Sequence, residues 1–224
     1  MHPAARLLPA LALVTTLIAA LLTGLAAPAA AEGERAGDFD YYVLSLSWSP
    51  NWCAVEGDAR EADQCDPRHD YGWTLHGLWP QNERGWPSYC RTGARDPSRR
   101  MTAAMTDIMG SSGLAWHQWK KHGRCSGLAA DTYFDTAREA YGAITVPEVF
   151  GKLRKSVRLP AAVVEEAFLQ ANPGMDADMI TVTCKADRIQ EVRICMDRDL
   201  GLRRCGADTR RDCRMQGALM DGIR

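Results

Sequence analysis

Apolar and polar residues alternate from Tyr41 to Ser49, with Tyr42, Leu44, Leu46 and Trp48 on one side, and this period of two predicts a strand buried on one face. Pro50 and Asn51 end it. Cys53 to Asp70 is polar, carries Gly57, Asp58 and Pro67, and reads as a surface loop or irregular hairpin tied by cysteines. Aromatic and β-branched residues return from Tyr71 to Leu78, a second strand that carries His76 and is stopped by Trp79-Pro80. Arg84 to Asp96, rich in glycine and proline, reads as loop.

The period changes at Ser98. Met101, Met105, Ile108 and Met109 recur at helical spacing between an Asp96-Pro97-Ser98 start signal and a Gly110 stop, and these thioethers read as core filler rather than ligands. Leu114 to Lys121 continues as a short helix ended by Gly123; Ala130 to Tyr141, Pro147 to Lys155 and Pro160 to Ala171 read as further helices. Met179 to Cys184 and Ile189 to Met196 alternate again as strands, with Arg203 to Cys205 a candidate third. Strands, then helices, then strands predict a single α+β domain with a mostly antiparallel central sheet flanked by helices.

Composition adds a compartment. Residues 1–31 carry one basic residue, Arg6, then an apolar run and Ala29-Ala30-Ala31, the layout of a signal peptide with a small-residue cleavage site. The expectation is a signal at 1–31, a functional domain at 32–224, a secreted or periplasmic protein, and no membrane association after cleavage; a retained anchor would need a longer span. All eight cysteines (Cys53, Cys65, Cys90, Cys125, Cys184, Cys195, Cys205, Cys213) lie beyond the signal, and none forms a C-x-x-C pair. An even set in an exported chain points to disulfides, among on the order of a hundred possible connectivities. The formal net charge of −1 excludes a bulk positive field, so any polyanion must be gripped locally.

Candidate chemistry concentrates in Trp116-His117-Gln118-Trp119-Lys120-Lys121-His122-Gly123-Arg124-Cys125, which holds two of the chain's five histidines. On a helix, His117 and Lys121 share one face and Gln118 and His122 the adjacent one, while Trp116 and Trp119 point elsewhere, toward the core. A third histidine, His76, lies in Thr74-Leu75-His76-Gly77-Leu78-Trp79-Pro80. A zinc helix would need histidines at i, i+4 with a glutamate between; here they are five apart with Gln118 between, so no metal and no cofactor is expected. No G-x-S-x-G is present, and cysteines in disulfides are not thiolates. Several histidines, a lysine and aromatics suit RNA cleavage by the ribose 2′-hydroxyl, which needs a base, an acid and cations at the phosphoryl oxygens.

Those two segments resemble the active-site segments of the ribonuclease T2 family, and Leu44-Ser45-Leu46-Ser47-Trp48-Ser49-Pro50 and Glu191-Val192-Arg193-Ile194-Cys195 resemble it as well. The resemblance implies a metal-independent endoribonuclease acting on single-stranded RNA, with no DNA cleavage, working as a monomer. It implies 2′,3′-cyclic phosphates and then 3′-phosphates as products. His76 would be the general acid, His122 the general base, His117 the phosphate holder and Lys121 the stabiliser of transition-state charge, with Trp79 stacking a base. It also implies the pairs Cys90–Cys125, Cys184–Cys213, Cys195–Cys205 and Cys53–Cys65.

One position departs from the family's pattern. Gln118 stands where glutamate is usual, and an amide can donate to a phosphoryl oxygen but carries no charge. Losing that carboxylate makes imidazolium at His117 and His122 less favoured. The rival expectation is a T2-fold RNA-binding or signalling protein with weakened catalysis. Arg124 would add positive charge near the phosphate path, Gln81 is a candidate base-edge contact, and His69 is expected to be a loop residue without a catalytic part.

Overall fold

The computed structural model describes residues 34–224, so the signal expected at 1–31 lies outside the described residues. The domain is α+β, with a six-stranded sheet. Strand β1 (Tyr41–Trp48) lies between β2 (Trp73–Gln81) and β5 (Arg188–Met196), and β4 (Ile180–Lys185) covers the other side of β5, all antiparallel. A short pair, β3 (Val157–Leu159) and β6 (Ala218–Met220), joins the sheet through a parallel contact of Leu219 with Arg188. Among the described residues no helix is long and apolar enough to cross a membrane.

The alternation of β1 sorts the molecule into two faces. Tyr42, Leu44, Leu46 and Trp48 join Leu75, Leu78, Val182, Val192 and Ile194 in the main core, where helices contribute Trp119, Tyr133, Phe134, Val164 and Phe168. Tyr41 and Val43 on the opposite face pack with Cys195 and Cys205, against which Trp79 rests. That second face carries the chemistry.

The helices are α1 (Ser49–Trp52), α2 (Arg99–Ala103), α3 (Thr106–Met109), α4 (Ser112–Lys121), α5 (Ala130–Gly142), α6 (Glu148–Gly151) and α7 (Ala161–Ala171). Ser98 Oγ caps α2 by accepting from the Met101 N–H, and Ser111 Oγ caps α4 by accepting from Leu114, each satisfying an otherwise orphaned donor.

Several expectations are corrected. β2 runs through Trp79 and Pro80 to Gln81, because it is an edge strand, where a proline costs least. Cys53 to His69 holds no hairpin; it winds through short helical turns between the Cys53–Cys65 bridge. The helix expected across Met101 to Met109 breaks into α2 and α3 around Ala104 and Met105. Pro147 to Lys155 supplies one turn only and then feeds β3, whose register is set by β6 rather than by any pattern of its own. Arg203 to Cys205 is not a strand; Arg203 N–H merely bonds the Cys195 carbonyl beside the Cys195–Cys205 bridge. The four disulfides are the four implied by the family resemblance.

Candidate active site

Two irregularities in the sheet build the site. The β1–β2 register shifts between Ser45 and Leu46, so that Ser45 faces Gly77 while Leu46 faces Leu75, and His76 is the extra residue. The β4–β5 register shifts between Thr183 and Cys184, leaving Gln190 as the extra residue beside Glu191. A bulge inserts one residue and re-aims its side chain, here onto the polar face. His76, His117, Gln190 and Glu191 line both of two adjoining cavities, of about 640 and about 370 Å³.

Helix α4 brings the second segment. Trp119 is fully buried, and its Nε1–H donates to Asp96 Oδ1 at 2.9 Å, which fixes the helix's rotation. Trp116, expected in the core, is instead 37% exposed, because the buried stripe of the helix runs through Ala115, Gln118, Trp119 and His122 and Trp116 falls at its margin. With Trp119 inward, Gln118 is buried, His117 sits exposed at the cleft, and Lys121 lines the smaller cavity. His122 lies just past the helix end and is only 6% exposed. Gly123 follows for lack of space, since a Cβ there would lie 2.7 Å from Trp119 and 2.8 Å from Tyr133. The Cys90–Cys125 bridge ties the preceding loop to this turn, and the Tyr89 N–H donates to the Lys121 carbonyl at 2.8 Å.

Trp79 is the hub. His122 stacks on its ring at 5.1 Å between centroids, His76 meets it edge-on at 5.2 Å, and the Arg193 guanidinium lies over it at 5.3 Å. Its Nε1–H donates to Gln118 Oε1 at 2.7 Å. The residue expected to stack a base thus has ring surface committed to the histidines. Trp86, not singled out in the sequence, lines the same cavity and is 56% exposed.

The electrostatics separate the histidines. Burial, then the charges of Lys121, His76 and His117, push His122 down to about 3, so it is neutral across the ordinary pH range. Partial burial, then the charges of Lys121, His76 and Lys120, also lower His117. His76 Nδ1 donates to Glu191 Oε1 at 2.6 Å, and Glu191 Oε2 accepts from Arg193 Nε and Nη2 at 2.9 and 2.6 Å. Glu191 and Arg193 belong to a stretch that resembles the family but drew no role from the sequence, although a carboxylate amid the apolar positions of a strand is a visible oddity.

The remaining expectations resolve simply. Arg124 pairs with Asp96 at 2.6 Å and does not line either cavity, so its charge is spent on anchoring α4. Gln81 lines the smaller cavity while donating to the Gly85 carbonyl. His69 stacks on Tyr71 in the exposed turn, away from the cleft.

An α+β sheet presenting a histidine-rich cleft on its polar face defines the class, and the comparisons give the family. The family model described as "Ribonuclease T2 family" matches residues 39–205, and the chain belongs to that family. It is 44% identical over 109 residues to a ribonuclease of Aeromonas hydrophila, a stretch covering 49% of this chain and 47% of that one, so the match spans about half the relative's length. Trichomaglin, described as an S-like ribonuclease, superposes with a TM-score of 0.66 at 19% identity, over 84% of this chain and all of that one. RNase NT in complex with 5′-AMP superposes with a TM-score of 0.57 at 20% identity, over 81% and 97%.

Proposed function

We propose that the chain is a metal-independent endoribonuclease, exported to the periplasm or medium and acting as a monomer, that cleaves single-stranded RNA through the 2′-hydroxyl. The products are 2′,3′-cyclic phosphates and then 3′-phosphates. The observation that carries this reading is the convergence of His76, His117, Lys121 and His122 on one cleft. Nucleotide binding by RNase NT is consistent with it.

In this mechanism His122 is the base. Its Nδ1 is buried without a partner, which leaves Nε2 as the nitrogen for the 2′-hydroxyl proton. Its low proton affinity keeps it neutral, and a bound phosphodiester, whose charge opposes those of Lys121 and His117, makes it a stronger base in the complex. His76 protonates the departing 5′-oxygen. His117, Lys121 and the Gln118 amide receive the phosphoryl oxygens as negative charge grows. Trp86 gives the base on the 2′-hydroxyl side an open ring to stack on, and the larger cavity beyond His76 and His117 takes the leaving nucleoside.

Incubation of the oxidised protein with yeast RNA in EDTA tests the reading. Cleavage should be complete with the chelator present, and a substrate with 2′-deoxyribose at the cleaved position should resist. No cleavage sinks the enzyme, chelator sensitivity sinks the metal-free route, and equal cutting of the deoxy substrate sinks the 2′-hydroxyl attack.

A further inference from the structure

Glu191 lies in mid-strand at 2% exposure and performs none of the proton transfers above. A carboxylate buried so deeply is costly unless paired. Burial pushes it up, but the hydrogen bonds and charges of His76 and Arg193 outweigh that and hold it well below the usual carboxylate range, so it is ionised. An ionised carboxylate only accepts hydrogen bonds. The 2.6 Å contact therefore requires the proton on His76 Nδ1, and Nε2 is the nitrogen left for the substrate. Arg193 holds the other carboxylate oxygen with two donors and is itself seated over the Trp79 ring. His76 needs such a support because it stands on a bulge, about one-third exposed, and meets Trp79 edge-on rather than face to face.

We propose that Glu191, locked by Arg193, is the positioning residue for His76, setting the ring's rotation and keeping one proton on Nδ1, so that the imidazolium delivers its second proton from Nε2 to the leaving 5′-oxygen. The Nε2–H bond breaks as the oxygen–hydrogen bond forms, and the Nδ1 proton stays on the ring against Glu191. The inference rests on His76 being the general acid.

Two substrates separate this role from a structural one. Glu191→Gln can offer His76 either an oxygen or an NH2, so both tautomers compete. On a dinucleotide its kcat should fall by about 10²-fold with KM changed less than about threefold, the scale of a mispositioned proton-transfer histidine. On a nucleoside 3′-phosphate ester of 4-nitrophenol, whose leaving group departs without a proton, the loss should shrink to less than about threefold. At a pH high enough to leave the ring neutral, the 15N spectrum of His76 should shift from the Nδ1–H form to a mixture of tautomers, and Glu191→Asp should recover part of the rate. Arg193→Met, which leaves the His76 contact but frees the carboxylate, should cost about tenfold in kcat on the dinucleotide alone. Equal losses on both substrates, or an unchanged tautomer with a wild-type rate, overturn the proposal. If His76→Ala cleaves the dinucleotide at the wild-type rate, it is the acid assignment that fails; if His76→Ala is inactive while Glu191→Gln is not, only the positioning role fails.

Discussion

Trp79 Nε1–H donates to Gln118 Oε1 at 2.7 Å, and because an indole nitrogen can only donate, this bond decides which way the buried amide points. The oxygen faces Trp79 and the NH2 is the end left for a phosphoryl oxygen. Glutamate would make the same bond to Trp79 and put a charge beside His122. Gln118→Glu should therefore keep kcat within about tenfold while moving the acid limb of the pH–rate profile to higher pH, since an added carboxylate favours imidazolium. A gain of several orders of magnitude would instead mark the natural protein as nearly inactive. Gln118→Leu strands the indole N–H and should cost about 1–3 kcal/mol of stability, measured by denaturant unfolding.

Gly77 serves the same bond. A Cβ at this position would collide with Gln118 Oε1 and Trp79 Nε1. Gly77→Ala should destabilise the fold by about 1–3 kcal/mol through overpacking and lower kcat disproportionately, because the pair that must part is the one that seats His122. A calorimetric melt beside steady-state kinetics reads both.

His122 makes stability depend on pH in a defined window. Its folded pKa of about 3 lies below the unfolded value of 6.5, so the unfolded chain binds the extra proton. Stability should fall by a few kcal/mol as pH drops below 6.5 and level off near 3, with His117 adding in the same direction. Glu191 contributes stability above the unfolded carboxylate value of 4.5 and loses it only as pH falls through its lower folded value, so between 6.5 and 4.5 the histidines carry the fall, opposed by Glu165, which burial raises above the usual value. His122→Phe, which can still stack on Trp79, should flatten that interval in urea titrations.

Two disulfides of similar span should behave differently. Cys90–Cys125 and Cys184–Cys213 close 35 and 29 residues, so removing either as a double alanine should cost about 3–4 kcal/mol by chain entropy. Only the first also secures the Tyr89 bond to the Lys121 carbonyl. At temperatures where both variants remain folded, kcat should drop for the Cys90–Cys125 variant and stay near wild type for the other.

Trp86 is exposed, so Trp86→Ala should leave the melting temperature unchanged. Stacking a base is worth about 1–3 kcal/mol, so KM for a dinucleotide should rise between about fivefold and 150-fold. An unchanged KM would remove Trp86 from the binding face.

The elements with long, regular periods were legible in the sequence. β1, β5, α5 and α7 appear within a residue or two of their expected bounds, because a repeating apolar face is what burial against the sheet demands. β3 and β6 were not, since each is three residues long and exists only by pairing with the other. The second motif's geometry also followed from helical spacing, with His117 and Lys121 on the open side and Gln118 and His122 on the buried side.

The sequence by itself determined which side chains could do the chemistry: three histidines and a lysine, with an amide where glutamate is usual in the family. Tertiary structure alone decided what those groups touch. A period-two pattern cannot announce a bulge, because a bulge is a mismatch between two strands rather than a property of one, and His76 and Gln190 reach the cleft through such mismatches. The partner of His76 lies 115 residues away, on a strand brought across by β1. Only after the sheet closes do Glu191 and Trp79 surround His76 and His122 and fix how each ring is held.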